Sequence, residues 1–427
     1  MRLQRLIRIS SRFSAVAMLA AAILYFAMAP SRSQAITVSI NYAYDDYENG
    51  VDGASGPKFF GVGNPGGATA GAQAKAALEA AASFYSTILT DTFSAIQPPP
   101  DFQSSFGGSA TFIWNMAFQN PSDATKSISL TNPVVAANEY RIYAGARSIA
   151  GSTIGIGGYS SSTPGYSISG VFGPGEYDAQ IQKKNDFTTA VTTRGQSSGF
   201  ATWGGFITFD RDMATPWHYD HTTSPTIGKN DFYSVAIHEL GHALGLGVSD
   251  EWEAYASQPT PIFTGPSATS LYGGNPPLDP GRGHWAENTM SKILGTETVQ
   301  EAAMDPNLTV GTRKRLTKLD AAGLTDVGWT VEAPPSPTYN PADFNEDTFV
   351  NGADLTMWKG AFGLNANGDA DGDNDSDGRD FLIWQRNFGA TSSLPAGSGA
   401  FSAVPEPSAA LAAIIGAATF VAFRLRR

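Results

Sequence analysis

Apolar positions recur along this chain in two rhythms, and the changes of rhythm mark its elements. From 72 to 93 the spacing is helical: Leu78, Ala82, Tyr85, Leu89 and Phe93 share one face, and Pro98-Pro99-Pro100 marks its predicted stop. Alternation replaces it at Val38-Ile40-Tyr42, Thr111-Phe112-Ile113-Trp114 and Phe206-Ile207-Thr208-Phe209, which predicts strands. Between 145 and 200 Gly, Ser and Thr break both rhythms, and no element is assigned there. The strongest helix is predicted over Asp231 to Leu246, with Asn230 or Asp231 as N-cap. Another starts at Thr317, where Asp320 suits a capping arrangement.

Both ends carry apolar runs of a different kind. Arg2, Arg5, Arg8 and Arg12 precede the run Ala15 to Ala29, and Ser33-Gln34-Ala35 supplies small residues for cleavage after Ala35. The run is shorter than the ~20 residues of a spanning helix, so residues 1–35 read as a signal peptide. At the other end Val404-Pro405-Glu406-Pro407-Ser408 is a turn, Ala409 to Phe423 a short transmembrane stretch, and Arg424-Leu425-Arg426-Arg427 a basic stop. This tail resembles the PEP-CTERM sorting signal of Gram-negative bacteria. The resemblance implies transient inner-membrane anchoring, removal by an exosortase, and delivery to the cell surface or extracellular matrix. Signal peptidase is the processing enzyme at the front end. Between the ends lie a large domain at 36–332, a Pro-rich linker at 333–340, an internal repeat at 341–390 and a Ser/Gly/Ala spacer at 391–403, with the sorting signal at 404–427.

Composition narrows the chemistry. A chain of 427 residues has room for two or three domains, and 42% hydrophobic residues suffice for a core. With 46 Gly and 26 Pro the architecture is loop-rich, which excludes a plain helical bundle. The net charge is −12, and residues 1–35 contain no acidic side chain, so the segment beyond them is more acidic still. Such a body repels phosphate backbones, which argues against nucleic acid and for calcium or a saline exterior. The absence of Cys removes disulfides, thiolate zinc sites and cysteine nucleophiles, leaving bound metal as the available staple.

His238-Glu239-Leu240-Gly241-His242 is the decisive run. On a helix, positions i and i+4 share a face about 6 Å apart along the axis, so both imidazoles can converge on one ion. Neutral imidazole suits zinc. Glu239, one residue past the first His, reaches a zinc-bound water rather than the metal, takes its proton, and can pass it to a leaving amine. Two protein ligands hold zinc weakly, so a third is required. The available groups are Asp250, Glu251 and Glu253 just downstream, His218 and His221 upstream, and His284 beyond the Pro/Gly-rich stretch Pro259 to Gly283.

The run His238 to Gly245 resembles the active-site helix of metzincin metallopeptidases. That implies a zincin-like α+β fold with a mixed twisted sheet, and a glycine, Gly245, at which the chain turns toward a third ligand. The short metzincin form has that His where this chain has Val248. The long stretch before Gly283-His284-Trp285 is similar to leishmanolysin-like members, which implies His284 as third ligand of one catalytic zinc. Glu301-Ala302-Ala303-Met304-Asp305-Pro306 resembles the Met-turn, implying Met304 as an apolar floor beneath the histidines. The specific resemblance spans 230–330; residues 36–229 contribute no motif.

The repeat is a pair of acidic loops. Asp343, Asn345, Asp347, Asn351 and Asp354 take positions 1, 3, 5, 9 and 12 of a calcium loop, with the Phe349 carbonyl at position 7. Asp369, Asp371, Asp373, Asp375, Asp377 and Asp380 repeat the pattern. Helical stretches carrying Trp358 and Trp384 follow at matching offsets. The tandem resembles a type I dockerin, implying a small all-α module that holds about two calcium ions and has a possible cohesin-like partner. Thr348 and Asn374 stand where such loops carry Gly. The expectation is a zinc endopeptidase acting on protein or peptide substrates. The alternative is a non-catalytic calcium-binding surface protein on a degenerate zincin scaffold.

Overall fold

The computed structural model describes residues 36–45, 58–334, 340–345, 349–364, 367–371 and 375–391. The expected signal peptide, the sorting tail, nearly all of the spacer, and Asp347 and Asp373 lie outside the described residues. Among the described residues no helix is long and apolar enough to cross a membrane. They fall into two units, one running to Leu294 and resuming over Val299–Glu332, the other comprising Gly295–Thr298 and the described residues from Ala333 on.

In the first unit the elements run β1 (Thr37–Asn41), α1 (Gly67–Ile88), β2 (Phe102–Gln103), β3 (Ser109–Ile113), β4 (Asn115–Gln119), β5 (Ser127–Thr131), β6 (Glu139–Arg147), β7 (Gly155–Ser160), β8 (Gly165–Ser169) and α2 (Glu176–Thr192). They continue with β9 (Gly204–Asp210), β10 (Trp217–His218), β11 (Asn230–Asp231), α3 (Phe232–Ala243), α4 (Asp250–Glu253), α5 (Pro266–Tyr272), β12 (Met290–Lys292), β13 (Val299–Glu301) and α6 (Lys318–Val327). The main sheet has the order β1-β6-β9-β7. Its first three strands are parallel, with Ile40 opposite Ile142 and Ile142 opposite Gly205. Strand β7 is antiparallel to β9 and leaves one edge of the sheet free.

Helices α1 and α3 bury their apolar faces with this sheet in one core, where Leu78, Ala81 and Tyr85 meet Ile142, Ile207, Phe209, Ile237 and Leu240. Each of the Leu, Ile and Phe side chains contributes about 1.5–3 kcal/mol by leaving water. Two tyrosines tie the frame to α3: the Tyr85 hydroxyl donates to the Ile237 carbonyl at 2.8 Å, and the Tyr140 hydroxyl to the Ala243 carbonyl at 2.6 Å. A second core, with Trp114, Phe118, Tyr143, Phe187 and Trp203, fills the space between β3, β4, α2 and the β6–β9 part of the sheet.

The expected strands correspond to β1, β3 and β9, with shifted ends. Helix α1 differs more: it begins at Gly67 and ends at Ile88, well before Pro98. Leu89 turns extended to bridge Val331, and Phe93 packs on Trp329 at 5.5 Å, so tertiary contacts end the helix before the prolines do. The unassigned stretch 145–200 holds β7, β8 and α2. Helix α2 buries only Gln180, Phe187 and Val191, too few to give a legible apolar period.

The second unit is built from two equivalent halves. Helices α7 (Gly352–Ala361) and α8 (Gly378–Asn387) are capped by Asn351 and Asp377, each in a capping box closed by Asp354 or Asp380. The halves exchange bonds: Trp358 Nε1 donates to the Asp377 carbonyl and Trp384 Nε1 to the Asn351 carbonyl, both at 2.9 Å. Gly363 N donates to Ser376 O, and Gly389 N to Val350 O, in the same reciprocal way. Among its described residues the buried apolar cluster is small: Ala342, Val350 and Trp384.

Candidate metal centre and base

Helix α3 starts on Asp231, whose carboxylate accepts from Ser234 N at 3.1 Å and is clamped by Arg313 through Nε at 3.0 Å and a second guanidinium nitrogen at 2.8 Å. An acceptor at the cap satisfies an otherwise orphaned N–H and suits the positive end of the helix. Two turns further in, His238 and His242 stand on one face, and their Nε2 atoms lie 3.1 Å apart. His284 Nε2 lies 3.0 Å from that of His242.

Each helix imidazole is oriented by its other nitrogen. His238 Nδ1 lies 2.8 Å from the Ala303 carbonyl and His242 Nδ1 2.8 Å from the Leu246 carbonyl. A carbonyl only accepts, so Nδ1 carries the proton and the Nε2 lone pair points inward. Burial, then the neighbouring imidazoles, depresses their basicity: His238 falls well below the ordinary range and His242 to about 4. His284 is lowered too, chiefly by burial. Convergent unprotonated lone pairs repel unless a cation lies between them. Tetrahedral zinc with Zn–N of ~2.0–2.1 Å spaces its nitrogens about 3.3 Å apart, close to the separations here. The donor set fits that metal.

His284 arrives by a constrained route. Gly245 (φ 101°) turns the chain out of α3, and Gly247 (φ 75°) follows it. A Cβ on Gly247 would collide with the Gly283 carbonyl, so the stretch 248–282 leaves and returns through one tight stem. Asp279 braces the return by accepting from His284 N at 2.9 Å. The next residue, Trp285, is buried and donates Nε1 to Asp320 at 2.9 Å.

Asp320 is a junction that sequence reasoning read only as a helix cap. Besides Trp285 it accepts from Ala303 N at 2.9 Å, Met304 N at 3.1 Å, and Thr317 through N and Oγ1. It therefore fixes the turn bearing Met304 and the backbone beside His284 with one buried carboxylate. Met304 is buried, and its sulfur lies where a Cβ on Gly241 would go, on the inner side of α3.

Glu239 is 5% exposed, and burial pushes its carboxyl up to about 8, opposed by the Gly157 amide acting as a hydrogen-bond donor. It is a base close to neutrality, facing the edge strand. The other possible third ligands lie elsewhere: Asp250 is exposed and Glu251 half-buried on α4, and neither joins the three-imidazole group. Val248 is 41% exposed. His218 bonds within its own loop, to Thr226 Oγ1 at 3.1 Å and the Asp220 carbonyl at 2.8 Å, while His221 stacks on Tyr233. Glu287, Glu301 and Asp305 also cluster, but Lys314 Nζ sits 2.7 Å from Glu301 and 3.3 Å from Asp305 and already occupies the space between those two as their counter-charge.

In the second unit, carboxylate oxygens of Asp369, Asp371 and Asp380 lie within 4.8 Å of one another, as do those of Asp375, Asp377 and Asp380. Asp380 also accepts from Ala370 N at 2.7 Å and Asp377 N at 2.6 Å. In the first loop Asp343 and Asp354 are buried, Asp354 accepts from Asn345 N at 3.2 Å, and the Phe349 carbonyl faces Asn351 Nδ2 at 3.4 Å. Asn351 and Asp377 spend a side-chain oxygen on capping α7 and α8, a role their loop positions did not reveal.

The matrixin family model matches residues 177–259, a span that holds α2, β9 and all of α3 and stops short of His284. With the mixed sheet and the metal-binding helix, this match supports a metzincin-type zinc metallopeptidase of zincin-like α+β fold. No curated protein and no solved structure matches the chain.

Proposed function

We propose that the chain is an exported zinc-dependent endopeptidase whose metal is held by His238, His242 and His284 and whose general base is Glu239. The observation that carries this reading is the convergence of three neutral imidazoles beside a buried carboxylate of raised basicity. Held by these three imidazoles, zinc would supply the Lewis acidity that polarises a scissile carbonyl and acidifies an attacking water. The free edge of β7 pairs with an extended peptide through backbone hydrogen bonds. Glu239 removes the proton of the attacking water and hands it to the leaving amine, while the buried surroundings keep that proton from bulk solvent.

The long return to His284 supports a leishmanolysin-like layout within the metzincins. The acidic loops support a dockerin-like module taking about two calcium ions, for which a cohesin-like protein is the fitting partner. The two chain ends support export, processing by signal peptidase and an exosortase, and a place at the cell surface or matrix of a Gram-negative bacterium. A direct test is casein cleavage by the purified full chain, with zinc measured on the same sample. Cleavage lost with 1,10-phenanthroline and restored by zinc is expected. Stoichiometric zinc with no cleavage of any unfolded protein would favour the non-catalytic alternative.

A further inference from the structure

The sheet meets the metal helix through β7, whose sequence Gly155-Ile156-Gly157-Gly158 is poor material for a strand. Backbone conformation does not call for these glycines: none of the three has a positive φ. Nor is a bulge present, since β7 pairs with β9 in unbroken register from Gly155 opposite Phe209 to Ser160 opposite Gly204. What Gly155 and Gly157 share is a face, and that face lies against one residue. A Cβ on Gly157 would collide with the backbone carbonyl of Glu239, and one on Gly155 with the Glu239 carboxylate. Gly158 differs, for a Cβ there would meet only the Phe206 ring, at 3.4 Å.

We propose that Gly155 and Gly157 are positioning residues for Glu239: lacking side chains, they let the edge strand settle directly on α3, so that strand backbone fixes the direction of the carboxylate. Gly155 meets the carboxylate itself, and Gly157 the backbone that carries it. A carboxylate held this way cannot swing away from its partner between turnovers. The inference rests on the peptidase reading only in calling Glu239 the base; the strand–carboxylate contact stands without it.

Two measurements on the zinc-loaded full chain test this. In glycine-selective ¹⁵N spectra, Glu239→Gln should shift the Gly157 amide proton far more than that of Gly158, because Gly157 lies directly against Glu239 and Gly158 does not. In steady-state kinetics, Gly155→Ala should lower kcat by about 100-fold with KM and zinc stoichiometry little changed, the cost of a base displaced by ~1 Å. Gly157→Ala should be at least as severe, and Gly158→Ala should stay within about 3-fold of wild type. A Gly157 resonance unmoved by Glu239→Gln overturns the proposal, as does wild-type kcat in Gly155→Ala or an equal loss in Gly158→Ala. A wild-type chain that cleaves no peptide, yet shows the Gly157 shift, sinks the peptidase reading and supports the contact.

Discussion

The two metal-directed regions of this protein are organised in opposite ways. Around the imidazoles everything is fixed from behind: two Nδ1 atoms are spent on carbonyls, Asp320 holds the flanking turns, and the surrounding core is large. In the acidic repeat the buried apolar cluster among the described residues is Ala342, Val350 and Trp384, and five like charges, Asp369, Asp371, Asp375, Asp377 and Asp380, crowd into two overlapping groups. A site held by its frame exists before the metal arrives, whereas one made of mutually repelling groups gains its order from the ion. On the function proposed above, one cation would serve as a reagent and the other as a structural member.

Substitutions bearing on that contrast rank by size. Glu239→Gln should keep stoichiometric zinc while kcat for casein-derived peptides falls by about 10³-fold, the scale of lost general-base catalysis. A variant with wild-type turnover would contradict the assignment. His284→Ala should weaken zinc binding by more than about 100-fold in a competitive chelator titration, with the fold unchanged by circular dichroism. Unaltered affinity would show that another group completes the site.

Acid should act late on the imidazole site. Its histidines are held neutral in the folded state, so the stability they contribute is present above the unfolded value of 6.5 and lost as pH falls through their lowered folded values, about 4 for His242. Zinc release from the full chain should therefore have its midpoint below about pH 5. A midpoint near 6.5 would mean the rings are solvated and not preorganised. Glu239 works in the other direction, since its raised value stabilises the metal-free protein below the unfolded value of 4.5 and the benefit is lost as pH climbs through about 8.

Calcium should separate the two units in a calorimetric scan. At about 100 times its dissociation constant it should stabilise the repeat by about 2.7 kcal/mol and leave the transition of the larger unit in place. Coincident shifts of both would end the contrast drawn above. Smallest of all, Trp384→Phe removes the bond to the Asn351 carbonyl and should cost the repeat about 1 kcal/mol in the calcium-loaded protein.

Much of the centre was legible because its signals are local. The spacing of His238 and His242 is a property of one helix, and Thr317 with Asp320 announces a cap within four residues. What stayed hidden depends on tertiary approach. Asp320 could be read as a cap but not as the acceptor for Trp285 and Met304, which are brought to it only by folding. The sequence of β7 offered neither alternation nor apolar period, because its glycines answer to a helix some eighty residues later. Helix α1 was placed by periodicity yet misjudged at its C-terminal end, since Leu89 and Phe93 obey Val331 and Trp329.

The narrow stem at Gly247 and Gly283 has a practical consequence. Between the pinned points Trp252 and Phe263 pack on Trp285 and Asp279 holds His284, so most of the segment belongs to the frame of the third ring, and only its outer turn is open to change. Gly273 and Gly274, where an added side chain would touch nothing, offer a splice point for an affinity tag or a fluorescent reporter. Nature has the same latitude, and new recognition elements could be installed there without disturbing the chemistry next door.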